Sequence, residues 1–469
     1  MTLRRHCLTG WTRKKPRELA QQPMQCYLPP WIPPDTTGKI KRMSTTQEQF
    51  LENDALARLE EALPEWLNRI PMYQGPAYAV ARNNGGMPFE KRLASLPFIK
   101  KSVLRHGFPG NFLGADGNLE DLISQRQVEL EYTSGTSEER TKLLLPYGWW
   151  DKQELAALKQ NPFVAEILEG NPEARRVTVN SPVCNNDISY ATVPTRNERI
   201  VRNSLFLSLS RFPFLWDEAE LSRMVAETLE WEPVFLDVDP VYGMIFARHC
   251  LRRGVRLPSL RFIISSYSFS SVNHRRIMEQ ALGVPVLNLY GSTETGHLLM
   301  EDGAGSMTPS PETAFLEVIG TNPKGVGELV VSTLTNNFMP LIRFRIGDFV
   351  RKTVRSGRAL YEVHGRVKDA FHTAGGETVT VRDVDECFAG FEGVAHYHLL
   401  QTETAHWNLR YVAEDKAPDA KTLKNLGERL GGILGAPGAV TMEQTDLVLP
   451  EGSGKFRLCQ PLVKPAESD

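Results

Sequence analysis

The chain has 469 residues, 41% hydrophobic and 23% charged, with a formal net charge of -2. That length accommodates two or three domains and a large buried core. The near-zero charge excludes a nucleic-acid binder held by bulk electrostatics, and no apolar run is long enough for a membrane-spanning helix.

Cys7, Cys26, Cys184, Cys250, Cys387 and Cys459 include no CxxC pair, so neither a zinc cluster nor a disulfide scaffold is suggested, and a reducing cytoplasm is expected. Residues 1–44, basic and then rich in proline, read as a mobile tail. The folded part opens on a helix, with Phe50, Leu56, Leu59, Leu63 and Trp66 at helical spacing. Further on, "SLRFIISS" and "VPVLNLYG" read as buried strands around the helix "SVNHRRIMEQALG", which stops at Gly283. Such βαβ order predicts a parallel sheet with helices on both faces, and ligands outside the carboxyl ends of its strands.

"GELVVST", "PLIRFRI" and "ALYEVHG" are short, closely spaced strands that predict a small antiparallel unit. Beyond residue 366 a helix, two strands, a helix and a strand follow, about 100 residues that suffice for a small domain. Val381, Val384 and Phe388 share one face of the first helix; Leu423, Leu426, Leu430, Ile433 and Leu434 line the second. His396 and His398 share a face of a strand, with no third ligand nearby. The expected fold class is α/β: a large N-terminal α/β domain (45–366), with parallel sheets and a small antiparallel unit, followed by a small mobile α+β domain (367–469).

Chemistry is suggested first by "EYTSGTSEERTKLLLP". Thr133, Ser134, Gly135, Thr136 and Ser137 combine hydroxyls with a glycine, as phosphate-cradling loops do. It is not a Walker loop, because no Gly-Lys-Ser/Thr follows. Down the chain come Tyr290-Gly291-Ser292-Thr293-Glu294, "PLIRFRIGD" ending at Asp348, Gly365-Arg366-Val367-Lys368-Asp369, Gly375-Gly376-Glu377 and Gly452-Ser453-Gly454-Lys455. In this order and at these separations the motifs resemble the adenylate-forming superfamily of acyl-CoA synthetases, adenylation domains and luciferases. The likeness is strongest to phenylacetate-CoA ligases and runs from about residue 95 to 460. Each motif alone is weak; the ordered set is strong.

The resemblance implies activation of a small carboxylic acid with ATP to an acyl-adenylate, then transfer to CoA or to a carrier protein's phosphopantetheine. An aromatic or other bulky apolar acid is expected, with His297 and the aromatics at 267–269 as pocket candidates. Loop 133–141 would wrap the β- and γ-phosphates. Glu294 would ligate Mg²⁺, Thr293 would reach the α-phosphate, and Tyr290, with Gly291 and Ser292, would lie at the adenine. Asp348 would accept from the ribose hydroxyls beside Arg366. Lys368 stands at the superfamily's hinge; on one side of the swing Lys455 would meet the α-phosphate, and on the other Gly375 and Gly376 would line a thiol tunnel. The reading leaves room for a homodimer, for an amine acceptor and for a non-catalytic relative.

The sequence also departs from the family pattern. Glu138 and Arg140 replace glycine and proline, Tyr267 replaces a frequent acid, and the usual later arginine is displaced, Arg457 standing two residues after the lysine. Arg343 and Arg345 read either as ligand contacts or as exposed cations on a strand.

Overall fold

The structure, a computed structural model, describes residues 45–83, 86–114, 117–133, 140–171, 173–185, 188–303 and 305–462, with side chains from Asp54 onward. The expected tail (1–44) and Ser134, Gly135, Thr136 and Ser137 of the hydroxyl-rich loop lie outside the described residues.

The opening helix, Thr45–Arg69, buries Leu59, Leu63 and Trp66 against an apolar cluster drawn from the antiparallel strands. Full burial of such side chains stabilises by about 1.5–3 kcal/mol each.

The parallel and antiparallel parts, expected as separate units, are one continuous twelve-stranded sheet. Its parallel half runs Ser204–Phe206, Arg176–Val179, Phe235–Val238, Phe262–Ser265 and Val286–Ser292. At Val286–Ser292 the order changes: this strand pairs parallel with Phe262–Ser265 on one side and antiparallel with Gly296–Glu301 on the other. The antiparallel half continues through Met307–Pro309, Arg358–Arg366, Phe344–Arg355, Val326–Thr333 and Ala314–Ile319. The turn at the changeover is Thr293-Glu294-Thr295, so the sheet's own topology exposes the motif at a strand end.

Two local expectations are corrected. "PLIRFRI" is not a strand from its start: pairing begins at Phe344, because Arg343 adopts a left-handed φ of 54°. Nor is Arg343 an exposed cation. It is buried, donates to the carbonyls of Ala94 (3.0 Å) and Leu96 (2.8 Å), and fastens the N-terminal helices to the sheet. Arg345 is half-buried and paired with Glu328.

The described residues form one compact unit. Within it the C-terminal part has its own four-stranded sheet, ordered Val440–Gln444, His406–Ala413, Val394–Glu403 and Cys459–Gln460. The last strand, two residues long, has no visible period and was not anticipated; it pairs parallel with Leu399 and Leu400 and anchors the segment just after Lys455. The helix at 381–386 starts from a Thr380–Asp383 capping box.

This C-terminal layer seats on helix Val272–Leu282. Asp385 accepts from the Val272 amide (2.9 Å), and His274 Nε2 lies 3.0 Å from His396 Nδ1 with the rings stacked. Burial lowers the pKa of His274 to about 3 and that of His396 well below the ordinary value. Both are therefore neutral when folded, whereas the unfolded chain protonates them below about pH 6.5. The unfolded state then binds more protons, so this pair's contribution to stability falls as pH drops from about 6.5 toward the folded values. The buried carboxyls of Asp239 and Asp385, pushed up to about 6, act in the opposite sense. Comparing wild type with His274→Phe in urea titrations at pH 7.5 and 5.5 isolates the effect: the variant should lose about 1.4 kcal/mol less on acidification. Equal losses would contradict it.

Candidate active site

A cavity of about 1670 Å³ opens at the carboxyl ends of the parallel strands and gathers most of the motifs expected from the sequence. Thr133, Tyr290, Gly291, Ser292, Thr293, Glu294, Asp348, Arg366, Lys368 and Lys455 all line it. Gly375 and Gly376 do not. They sit in the exposed turn between Phe371–His372 and Thr378–Val379, and this arrangement keeps them off the cavity wall.

The loop that the sequence marks for phosphate springs from a separate hairpin, Val128–Tyr132 with Lys142–Pro146. Its stem is closed by the buried Thr133 and Thr141: Thr133 N donates to Thr141 O (3.0 Å), and Thr141 N donates to Thr133 Oγ (3.1 Å). Arg105 Nε reaches Thr141 Oγ at 3.1 Å. Threonine at 141 is thus a structural clamp, and the nearby Arg140 lines the cavity.

The changeover turn is fixed by two glycines. A side chain on Gly291 would meet the Gly296 carbonyl at 2.1 Å, and Gly296, at φ +72°, packs against Trp149 and Gln153. These close approaches hold Glu294 at the cavity edge, 7% exposed, with the Lys101 ammonium 2.5 Å from its carboxylate. Burial works against the charge of Glu294, but Lys101 outweighs it and the pKa is lowered. Lys101 is a site residue that the motif reading missed; its signal is the Lys100-Lys101 pair opening the short helix Lys101–Arg105.

Asp348 is 6% exposed, receives the Tyr290 hydroxyl at 2.7 Å and pairs with Arg366 at 3.1 Å. Strand register explains the pairing, since Asp348 and Arg366 are direct partners across the ladder. The Asp348 carboxylate raises the pKa of Arg366, so the half-exposed guanidinium stays charged. An Asp348→Asn exchange keeps the shape but turns one acceptor oxygen into a donor. It should raise the KM for ATP by roughly tenfold to a hundredfold, and more than it changes kcat. Steady-state kinetics at varied ATP check this; an unchanged KM would show that Asp348 makes no contact with ATP.

Lys455 reaches this cavity from the C-terminal layer. The Gly454 carbonyl accepts from Tyr242 Oη at 3.0 Å, the Gly452 carbonyl accepts from Arg211 at 2.9 Å, and Glu451 N donates to the Lys455 carbonyl at 2.9 Å. Gly454 is no loose support for the lysine: it adopts φ +83° and presses against Ser181, where a Cβ would lie 1.9 Å from Oγ. Desolvation lowers the pKa of the Lys455 ammonium and Arg366 adds to this, while Cys184, Asp239 and Glu294 oppose it. Lys455 therefore feels both the cation and the carboxylate of the opposite wall. Asp239 also escaped the motif reading. It caps helix Pro240–Arg252 and receives Ser268 Oγ at 2.5 Å; an Asp-Pro pair after a buried strand was its signal.

The displaced arginine has a visible task. Arg457 pairs with Asp369 beside Lys368, so the segment after Lys455 grips the connection between the large sheet and the C-terminal layer. Tyr267, which stands in place of the frequent acid, lines the cavity. At φ +68° it turns its hydroxyl to Asp237 (2.7 Å).

Among proteins of known activity, the chain is 23% identical over 347 residues to a phenylacetate-coenzyme A ligase of Pseudomonas putida, spanning 70% of this chain and 73% of the relative. No family model matches. Among solved structures it is similar to 2-hydroxyisobutyryl-CoA ligase in the postadenylation state with an acyl-AMP (TM-score 0.61, 16% identity, 87% of this chain and 90% of the other). An open form of that ligase superposes at 0.52, with 16% identity over 88% of this chain and 91% of the other. An anthranilate CoA ligase in complex with anthranoyl-AMP gives 0.51, with 14% identity over 90% of this chain and 80% of the other. The chain thus shares the α/β fold of these CoA ligases, and its sequence is similar to that of a phenylacetate-coenzyme A ligase.

Proposed function

We propose that the chain is an ATP-dependent acid–thiol ligase that makes an acyl-adenylate from a carboxylic acid, with an aromatic side chain favoured, and passes the acyl group to CoA. One observation carries the reading. Lys455, delivered from the C-terminal layer, shares a cavity with Glu294, Asp348 and Arg366 and is coupled electrostatically to Glu294 and Arg366. The coenzyme A ligases of similar sequence and fold support it.

A carboxylate is a poor acyl donor because oxide is a poor leaving group. In the first step its oxygen attacks the α-phosphorus of ATP and pyrophosphate leaves. Asp348 and Tyr290 receive the nucleoside end, and Thr133 with the loop beyond it holds the outer phosphates. Charge that builds on the α-phosphoryl oxygens is met by the preplaced cations of Arg366 and Lys455. Thr293 lines the same stretch of wall. In the second step a thiol attacks the acyl carbonyl and AMP departs. That requires Lys455 to withdraw, with Lys368 as the pivot between residues 45–366 and 367–469 and the Gly375-Gly376 turn brought in.

Mg²⁺ fits the donor set. Such an ion needs only one or two protein carboxylates, with substrate phosphates and water completing its shell; Glu294 would supply the carboxylate, with Lys101, now 2.5 Å from it, freed to meet a phosphate. When bound, the ion neutralises the departing pyrophosphate.

The acceptor is tested by supplying purified protein, ATP and an active acid with CoA, hydroxylamine or simple amines, then identifying products by mass spectrometry. The proposal requires thioester with CoA. Amide from free amines with no thioester would reassign the second step, and acyl-hydroxamate without either would leave the protein an adenylating enzyme for a carrier.

A further inference from the structure

Away from the nucleotide wall, the cavity runs on between helix Trp149–Leu158 and the sheet, and there its chemistry changes. Trp150 makes an aromatic wall, its ring 4.9 Å from that of His297. The floor is polar and crowded with acceptors. Arg176 pairs with Glu154 at 2.6 Å, and Asp237 receives Ser266 Oγ at 2.8 Å and Tyr267 Oη at 2.7 Å. All of Glu154, Arg176, Asp237, Tyr267 and His297 line the cavity.

Among the described residues of this floor, two carboxylates, Glu154 and Asp237, face one guanidinium, that of Arg176. Burial opposes the charge on Arg176, yet Glu154 and Asp237 together raise its pKa, which places both carboxylates within its field. Burial keeps His297 neutral, its pKa lowered, so it adds no compensating cation. Burial also raises the pKa of Asp237 against the pull of Arg176, and the Glu154 carboxylate adds to the rise. A second sign is independent of charge. Thr178, the direct strand partner of Asp237, is 1% exposed, lines the cavity, and its hydroxyl has no hydrogen-bond partner among the described residues. A buried polar atom left single beside a surplus of acceptors marks a place for a ligand. Tyr267 points the same way, since a non-glycine residue at φ +68° persists where its surroundings hold it for a task.

Resting on the ligase reading above, we infer that the acid this protein activates is aromatic and carries a hydrogen-bond-donating substituent, a hydroxyl or an amino group, which the floor formed by Asp237, Glu154 and Thr178 receives. Trp150 covers the ring, and the substituent meets acceptors that an unsubstituted ring would leave bare. A site built to hydrogen-bond a substrate group rejects the analogue lacking it far more strongly than an apolar pocket rejects a missing methylene.

The test ranks acids by kcat/KM for ATP–pyrophosphate exchange: benzoic and phenylacetic acids, their hydroxy- and amino-substituted forms, and the matching methoxy acids, which accept but do not donate. The best donor-bearing acid is expected to exceed both its unsubstituted parent and its methoxy analogue by at least about thirtyfold. Asp237→Asn, close in shape, and Tyr267→Phe are each expected to compress that preference severalfold. Unsubstituted or methoxy acids that match the best donors would overturn the inference while leaving the ligase reading intact. Absence of exchange with every acid would instead strike the ligase reading, and this inference with it. Wild-type ranking alone decides the matter if either variant fails to fold.

Discussion

Replacing Lys455 with alanine is expected to slow carboxylate-dependent exchange of labelled pyrophosphate into ATP by roughly 10²–10³-fold, the loss that follows removal of one preorganised group from a transition state. Conversion of a preformed acyl-adenylate and CoA to thioester should fall by no more than a few-fold. The asymmetry follows from where Lys455 stands. Its ammonium shares the cavity with Arg366 and Glu294, the groups proposed to flank the α-phosphoryl group in the first step. The second step, thiol on acyl carbonyl, needs that space cleared. Arg366 stays charged beside Asp348, so the variant keeps one cation and a measurable residual rate. Equal losses in both steps would mean that Lys455 serves the fold and not the adenylation chemistry.

Gly454→Val should damage the same step without touching the ammonium. At φ +83° a side chain is strained, and its first carbon would fall 1.9 Å from Ser181 Oγ and 3.0 Å from the Tyr242 hydroxyl. The turn must then leave the surface where Tyr242 holds the Gly454 carbonyl and Arg211 holds that of Gly452. A displacement of about 1 Å in a positioning element costs on the order of 10²-fold, and that is the expected fall in exchange. Thiolysis of preformed adenylate should be spared. Gly454→Ala combined with Ser181→Gly should recover part of the loss of Gly454→Ala alone, because it reopens the space but not the dihedral. If Gly454→Val exchanges at the wild-type rate, the docked turn is not the adenylation arrangement.

Elements with a strong period were legible in the sequence. The helix ending at Gly283 stops there because that residue takes φ +70°, and the strand before Tyr290 is a run of apolar residues between turn signals. Glu294, Asp348, Arg366 and Lys455 were legible as motifs, and the sheet's changeover at Val286–Ser292 explains why the first three converge. What escaped were properties of pairing and packing. Strand Cys459–Gln460 is too short to show alternation. Arg343 read either as a ligand contact or as a strand cation because nothing local says that its partners are the carbonyls of residues 94 and 96. Lys101 lies nearly two hundred residues from Glu294 in sequence, and only the fold brings the two within 2.5 Å. The polar floor was invisible for the same reason: Glu154, Arg176 and Asp237 come from three elements, and each alone reads as an ordinary charge on a helix or strand.

The most direct test of the account is ATP–pyrophosphate exchange by the wild-type protein, with aryl and fatty acids run side by side and a no-acid control. Exchange that depends on a carboxylic acid, is supported best by an aryl acid and disappears with Lys455→Ala is the predicted result. A folded, ATP-binding protein that gives no acid-dependent exchange with any of them would contradict it.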